Sequence, residues 1–114
     1  MSKIGGNTDL VLKYETFTTN AIGEQVKDWV ELQTIRGFID LMTQSKDYAN
    51  YNKAMENSTH VFISDYVSIA TKDENGKKRD FKAVVDGDEY DVTYIDNPMK
   101  LNKHLEIFLE KVGD

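Results

Sequence analysis

The chain has 114 residues, a net charge of −6 and a hydrophobic fraction of 39%, which is typical of one domain with a modest core and excludes a disordered chain. It contains no cysteine, so disulfides, thiolate metal sites and cysteine nucleophiles are excluded. Because nucleic-acid affinity comes largely from Lys and Arg neutralising phosphates, the acidic balance argues against a DNA clamp.

The first part of the chain predicts β-strands. Period-two alternation of β-branched and aromatic residues predicts a strand over residues 9–17, and a loop with turn residues follows at 18–25. Residues 26–42 are too many for one ordinary strand, so we expect two strands or one strand kinked at Gly37. We expect residues 1–8 to be flexible.

Residues 43–58 form a long polar excursion without Val, Ile, Leu or Phe. Tyr48, Tyr51 and Met55 have helical spacing and Ser45 could cap a short helix, while a mobile loop fits equally well. Long excursions from compact domains tend to be functional or disordered.

The second half predicts further strands. Residues 59–70 alternate again and predict a strand, followed by a charged loop at 72–78 with an Asn75-Gly76 turn signal. We interpret the basic run at 77–79 as a solvated hairpin tip.

The segment 79–95 predicts a β-hairpin. Asp86-Gly87 is a strong two-residue turn, because both central positions of a type I′ turn need positive φ. The turn fixes a register in which Phe81 lies opposite Val92, Ala83 opposite Tyr90 and Lys82 opposite Asp91. One face is then apolar, and the other has a cross-strand ion pair.

The end of the chain is ambiguous from its residues alone. Leu101, Leu105, Phe108, Leu109 and Val112 fit a helical stripe, which local propensity favours. The residues from 104 onward also alternate as a strand would.

No catalytic constellation is visible. His60 and His104 are isolated and lack metal-ligand spacing, and the acidic residues of 86–91 are explained by turn and outward strand positions. There is no phosphate loop or nucleophile elbow. We therefore expect no enzyme activity, no cofactor and no metal site, and we expect Trp29 to anchor the core.

Five features follow one another between Leu10 and Val112. They are an early strand, a glycine loop before the tryptophan strand 25–29, the run Thr43-Gln44-Ser45-Lys46-Asp47-Tyr48, a strand at 59–63, and a glycine hairpin ending in Asp96-Asn97-Pro98. In this order they resemble the head-closure, or head–tail adaptor, proteins of tailed bacteriophages. One departure is that such chains often have an arginine near the start, where Lys13 is the nearest basic residue here.

The resemblance implies an all-β fold, with one domain over residues 1–114 that forms a small antiparallel β-barrel carrying a long loop. It also implies that residues 104–112 form a strand, which we adopt because tertiary context overrides local propensity. The 43–58 loop would face a channel or reach a neighbouring subunit. Its candidate assembly residues are Gln44, Lys46, Asp47, Tyr48, Tyr51 and Lys53.

The implied function is structural. Copies would form a ring beneath the portal and its adaptor, hold packaged DNA in the head, and link to tail proteins, touching DNA in passing and no membrane. The N-terminus has no apolar block after Lys3, so we expect no secretory signal and assembly in the host cytoplasm before incorporation into the virion. The alternatives are a tail-completion or tail-terminator protein, a small barrel module that binds nucleic acid or peptide, and an enzyme.

Overall fold

A computed structural model describes residues 5–41 and 58–112. The strands are β1 (Thr8–Thr19), β2 (Gln25–Leu41), β3 (His60–Asp65), β4 (Phe81–Val85), β5 (Asp88–Asp96) and β6 (His104–Lys111), with a 3-10 turn at Pro98–Lys100. They pair in the order β1-β2-β3-β6-β5-β4, and β4 returns to β1, which closes a barrel of antiparallel strands. The predicted all-β barrel is confirmed. Within the described ranges, no helix is long and apolar enough to span a bilayer.

The barrel interior is filled by alternate residues of every strand, as period-two patterning predicts. The buried cluster comprises Leu10, Leu12, Ile35, Phe62, Ala83, Val85, Tyr90, Ile107 and Leu109. The segment at 104–111 is a strand, as the resemblance implied. It pairs with β3 on one side and β5 on the other, so hydrogen bonding to two neighbours outweighs its local preference for a helix.

The hairpin at Asp86-Gly87 is confirmed. Both residues have positive φ, 51° and 83°, and Ala83 lies opposite Tyr90 with Lys82 opposite Asp91. Tyr90 is buried in the core. The two flanking residues of the predicted register, Phe81 and Val92, are half-buried and pack against that core.

The predicted ion pair of Lys82 with Asp91 is wrong. The Lys82 ammonium lies 3.9 Å from a carboxylate oxygen of Glu89, which is on the same face as Asp91 and diagonal to Lys82. A long side chain reaches diagonal neighbours across a twisted sheet as readily as the residue directly opposite.

A β-bulge at Thr93 changes which residues of β5 face inward. Val92 pairs with Leu109, but Tyr94 pairs with Phe108, so Thr93 is the extra residue. One inserted residue reverses the side on which later residues lie. Tyr94 therefore packs against Phe108 outside the main core, in a second cluster with Val61.

Residues 25–41 form one strand. At Gly37 this strand pairs with both of its neighbours, β1 and β3. Gly37 pairs with Thr8 of β1 and with Ser64 of β3. A Cβ atom there would overlap the carbonyl oxygen of Ile63 and lie 2.8 Å from the Phe62 ring. Of the two expectations, two strands or one strand kinked at Gly37, the structure has the single strand.

Several boundaries differ from the sequence expectations, two of them by more than a few residues. The strand predicted over 59–70 ends at Asp65, although Val67 and Ile69 beyond it still pack against the core. Part of the segment predicted to be flexible is bound to the barrel: the Gly5 N–H donates to an Asp65 carboxylate oxygen (3.1 Å) and the Asn7 N–H donates to the Gly37 carbonyl (3.1 Å).

Candidate functional site

The β1–β2 hairpin extends beyond the barrel as a two-stranded arm. β4 pairs with β1 only as far as Tyr14, and β3 pairs with β2 only from Gly37 onward. Past Tyr14, the Glu15 N–H still donates to the Asp80 carbonyl at 2.9 Å. From Thr16 onward, β1 pairs only with β2, to the last pair Thr19 with Gln25. We call residues 15–29 the arm. A two-stranded ribbon leaves both of its edges open to pairing or contact with another chain.

The tip of the arm is ordered by one side chain. The Asn20 Oδ1 accepts hydrogen bonds from the backbone N–H groups of Ile22 (3.1 Å) and Glu24 (2.9 Å). Gly23 supplies the required positive φ of 86°. The turn predicted for residues 18–25 is present but shorter, because β1 continues to Thr19 and β2 begins at Gln25.

Large apolar side chains are exposed on the arm. Ile22 is 78% exposed at the tip, while Phe17 and Val26 are 56% and 45% exposed along the two strands. Clustered exposed apolar residues on a projecting element are typical of a contact surface.

Trp29 is on the outer face at the base of the arm, so the prediction that it anchors the core is wrong. It is half-buried, and the Lys82 ammonium lies 4.9 Å from its ring centre. Lys82 also approaches Glu89. Trp29 pairs with Glu15, beyond the last paired position of β1 and β4, and it belongs to neither buried cluster.

A second hairpin stands beside the arm, and we call residues 71–79 the basic hairpin. Lys72 and Lys78 form its bridge. The Asp73 Oδ1 accepts N–H hydrogen bonds from Asn75 and Lys77, both at 2.9 Å, which is the geometry of the arm tip. The predicted Asn75-Gly76 turn is thus present.

Arg79 joins the basic hairpin to β1 at the base of the arm. Its guanidinium lies 4.2 Å from the centre of the Tyr14 ring, a distance typical of a cation–π contact. A guanidinium N–H donates to the Ala70 carbonyl at 3.4 Å. The Arg79 Nε is buried and has no hydrogen-bond partner among the described residues.

Beside Arg79 is a cleft of about 360 Å³, which we call the basic cleft. Its rim has Lys72, Lys78 and Arg79, together with the carboxylate of Asp80, and its base is apolar. The base is formed by Phe81, Val92, Tyr94 and Ile95, with Thr71 and Thr93 completing the lining. An apolar base with a cationic rim suits a ligand group that combines an apolar side chain with a carboxylate.

The opposite end of the barrel holds His60. Leu41 pairs with His60 there, so the polar excursion begins and ends at this end. The His60 ring contacts the edge of Tyr90, with 5.1 Å between ring centres. Burial, with Lys111 nearby, lowers the pKa of His60 below its usual 6.5, against opposing effects of Asp40 and Asp88.

This shift predicts a pH dependence of stability. A histidine whose pKa is lower in the folded state than in the unfolded state makes its full contribution to stability when the pH is above its ordinary pKa of 6.5. That contribution is lost as the pH falls through 6.5 toward the lowered pKa, because the unfolded chain binds the proton first. Between about pH 7.5 and about pH 5.5, urea denaturation should therefore show a smaller loss of stability for His60→Gln than for the parent chain. Equal losses in the two proteins would contradict this assignment.

The family model for the phage head completion protein matches residues 6–112 of the chain. The chain belongs to the phage head completion protein family. No curated protein matches it significantly. The resemblance drawn from the order of strands and turns is therefore confirmed, and the match includes both the barrel and the arm.

Membership makes this head completion protein a structural component of a phage particle with a role in head closure.

Of the residues predicted for the site, Phe81, Gly87, Tyr90 and Val92 lie in the β4–β5 hairpin as expected. The predicted assembly residues of the excursion, Gln44, Lys46, Asp47, Tyr48, Tyr51 and Lys53, lie outside the described ranges. In residues 5–41 and 58–112, no three His, Asp or Glu side chains are grouped as metal ligands.

The arm and the basic cleft are the surfaces that the sequence interpretation missed. The alternation in β1 continues without a break from the barrel to the arm, so it does not reveal where the third strand ends. A usable signal was the pair of turns with the same spacing, Asn20 to Glu24 and Asp73 to Lys77, one on an acidic segment and the other on a basic one.

Proposed function

We propose that this head completion protein forms a ring at the head–tail junction, which closes the head after packaging and provides the surface to which the tail joins. The observation that supports this most is the family match, which extends over barrel and arm together. A closed barrel has few open strand edges. The arm has open edges on both of its strands within the described chain, so it is a natural place for contacts with other subunits.

The charge of the chain suits a ring through which DNA passes. At −6, the protein repels phosphate more than it attracts it, so DNA can slide without adhering. We propose passing, non-specific contact with packaged DNA, no catalytic step, and portal, adaptor and tail proteins as partners. Assembly would take place in the host cytoplasm.

Cryo-electron microscopy of purified particles tests the ring and the link to the tail. In a local reconstruction of the junction, we expect a ring of six-stranded barrels between the portal side and the tail. Particles from a mutant that lacks the protein should lack this layer and their tails. A junction that keeps the same layers in the mutant would contradict the proposal, as would barrels located elsewhere in the particle.

A further inference from the structure

We propose that adjacent copies in the ring are joined by the arm of one copy, whose tip occupies the basic cleft of the next. Ile22 would enter the apolar base, and the carboxylate of Glu24 would meet the cationic rim. This inference rests on the proposed ring. The contact joins two different surfaces of the same chain, so it is heterologous and generates a ring when the rotation between copies closes.

The lining of the cleft has more cations than anions, with Lys72, Lys78 and Arg79 against Asp80. The buried Arg79 Nε has no hydrogen-bond partner among the described residues, and leaving a buried donor unpaired costs stability. Lys72 and Lys78 flank it and form no ion pair within 5–41 and 58–112. A carboxylate is the acceptor that a guanidinium binds best, because the hydrogen bond is charge-assisted.

The arm has the complementary chemistry. It contains three carboxylates, Glu15, Glu24 and Asp28, against the single cation Lys27, and Lys27 lies 3.8 Å from Glu15. Glu24 is exposed at the tip two residues from Ile22, and the Asn20 hydrogen bonds hold both in one turn. A pre-ordered turn loses little conformational entropy on docking.

The cleft cannot be filled by the arm of its own chain. Phe81 in the cleft is directly opposite Tyr14, whereas Thr19 is five residues further along β1, about 17 Å away at about 3.3 Å per residue. The occupant is therefore another chain. A second copy fits because it presents an apolar and an acidic group together, whereas DNA would satisfy the rim and leave the apolar base exposed.

Disulfide trapping in particles tests this contact. The chain has no cysteine, so the double variant Ile22→Cys with Lys78→Cys introduces the only two thiols. Bridging requires the two Cα atoms to lie within about 7 Å. After oxidation of purified particles, we expect a ladder of covalent multiples of this chain on a non-reducing gel. The matched control, Ile22→Cys with Asp91→Cys on the barrel wall, should give none.

The results of the cross-linking experiment distinguish a failure of the proposed contact from a failure of the proposed function. Particles that contain the variant but give no ladder overturn the contact and leave the ring intact. A cross-link to a different virion protein also overturns it, because the cleft then holds another partner. Particles that never contain this chain overturn the proposed function itself.

Charge exchange gives an independent test that does not depend on cysteine geometry. Glu24→Lys and Lys78→Glu should each lower the yield of infectious particles about tenfold or more, since a close interfacial charge pair is broken. The exchanged double variant should recover most of the loss. Asp91→Lys makes the same charge change as Glu24→Lys on the barrel wall and should have little effect. A double variant as poor as the worse single one would overturn the pairing.

Discussion

Replacing Phe62 with alanine is expected to lower the free energy of unfolding by about 3–5 kcal/mol. Phe62 is fully buried in the barrel interior, on β3 between β2 and β6. Its removal deletes apolar contacts from three strands and leaves a cavity that a closed barrel cannot collapse to fill. Since small domains have about 5–15 kcal/mol of stability in total, much of it would be lost.

Chemical denaturation with a matched control measures this effect. Phe17→Ala makes the same chemical change on the arm, where the side chain is 56% exposed, and should change stability by about 0.5 kcal/mol or less. If the two variants were equally stable, the assignment of Phe62 to the barrel interior would be wrong.

Replacing Gly37 with valine is expected to cost about 3 kcal/mol, at the upper end of the usual range for overpacking. The added Cβ would overlap the carbonyl of Ile63 and the ring of Phe62. Gly37 pairs with β1 on one side and β3 on the other, so relieving the overlap requires separating strands and weakening their hydrogen bonds.

Gly87→Ala is the matched control for this contact effect. At Gly87 an added Cβ meets nothing within 4 Å, and the φ is +83°. Its cost is therefore the backbone cost alone, about 1 kcal/mol. Thermal unfolding should rank Gly37→Val well below Gly87→Ala. The reverse order would show that the strands relieve the overlap at residue 37 at little cost, and would contradict this account.

The sequence predicted those parts of the fold that depend on a few consecutive residues. The Asp86-Gly87 turn requires positive φ at both positions, and that requirement alone established the pairing of Ala83 with Tyr90. The strand at 104–111 was different, because its residues fit helix and strand equally well. Only the resemblance to a barrel family, and hence the need for a partner to β3 and β5, decided it.

The errors have a common physical cause: the alternation of residues along one segment does not show which other strands lie beside it. Trp29 has the alternation of a core strand but lies beyond the last β4 pair. Val67 and Ile69 alternate as strand residues and pack against the core, yet the strand ends at Asp65. The Thr93 bulge, which the sequence did not predict, places Tyr94 outside the main core, and one extra residue leaves no trace in composition.

The candidate contact surfaces were hidden for the same reason. The acidic arm and the basic hairpin are both ordinary turns when considered separately. Their chemistry becomes apparent only when the barrel places Arg79 against Tyr14 and leaves the Arg79 Nε buried without a partner.

Retention of packaged DNA tests the central claim, head closure, most directly. Particles made with and without this protein would be purified under identical conditions, and the DNA that survives nuclease treatment would be measured. Without the protein, we expect heads to package DNA and then lose it, so that nuclease destroys the genome; supplying the protein during assembly should restore protection. Heads that lack the protein yet keep a full, nuclease-resistant genome would contradict the account.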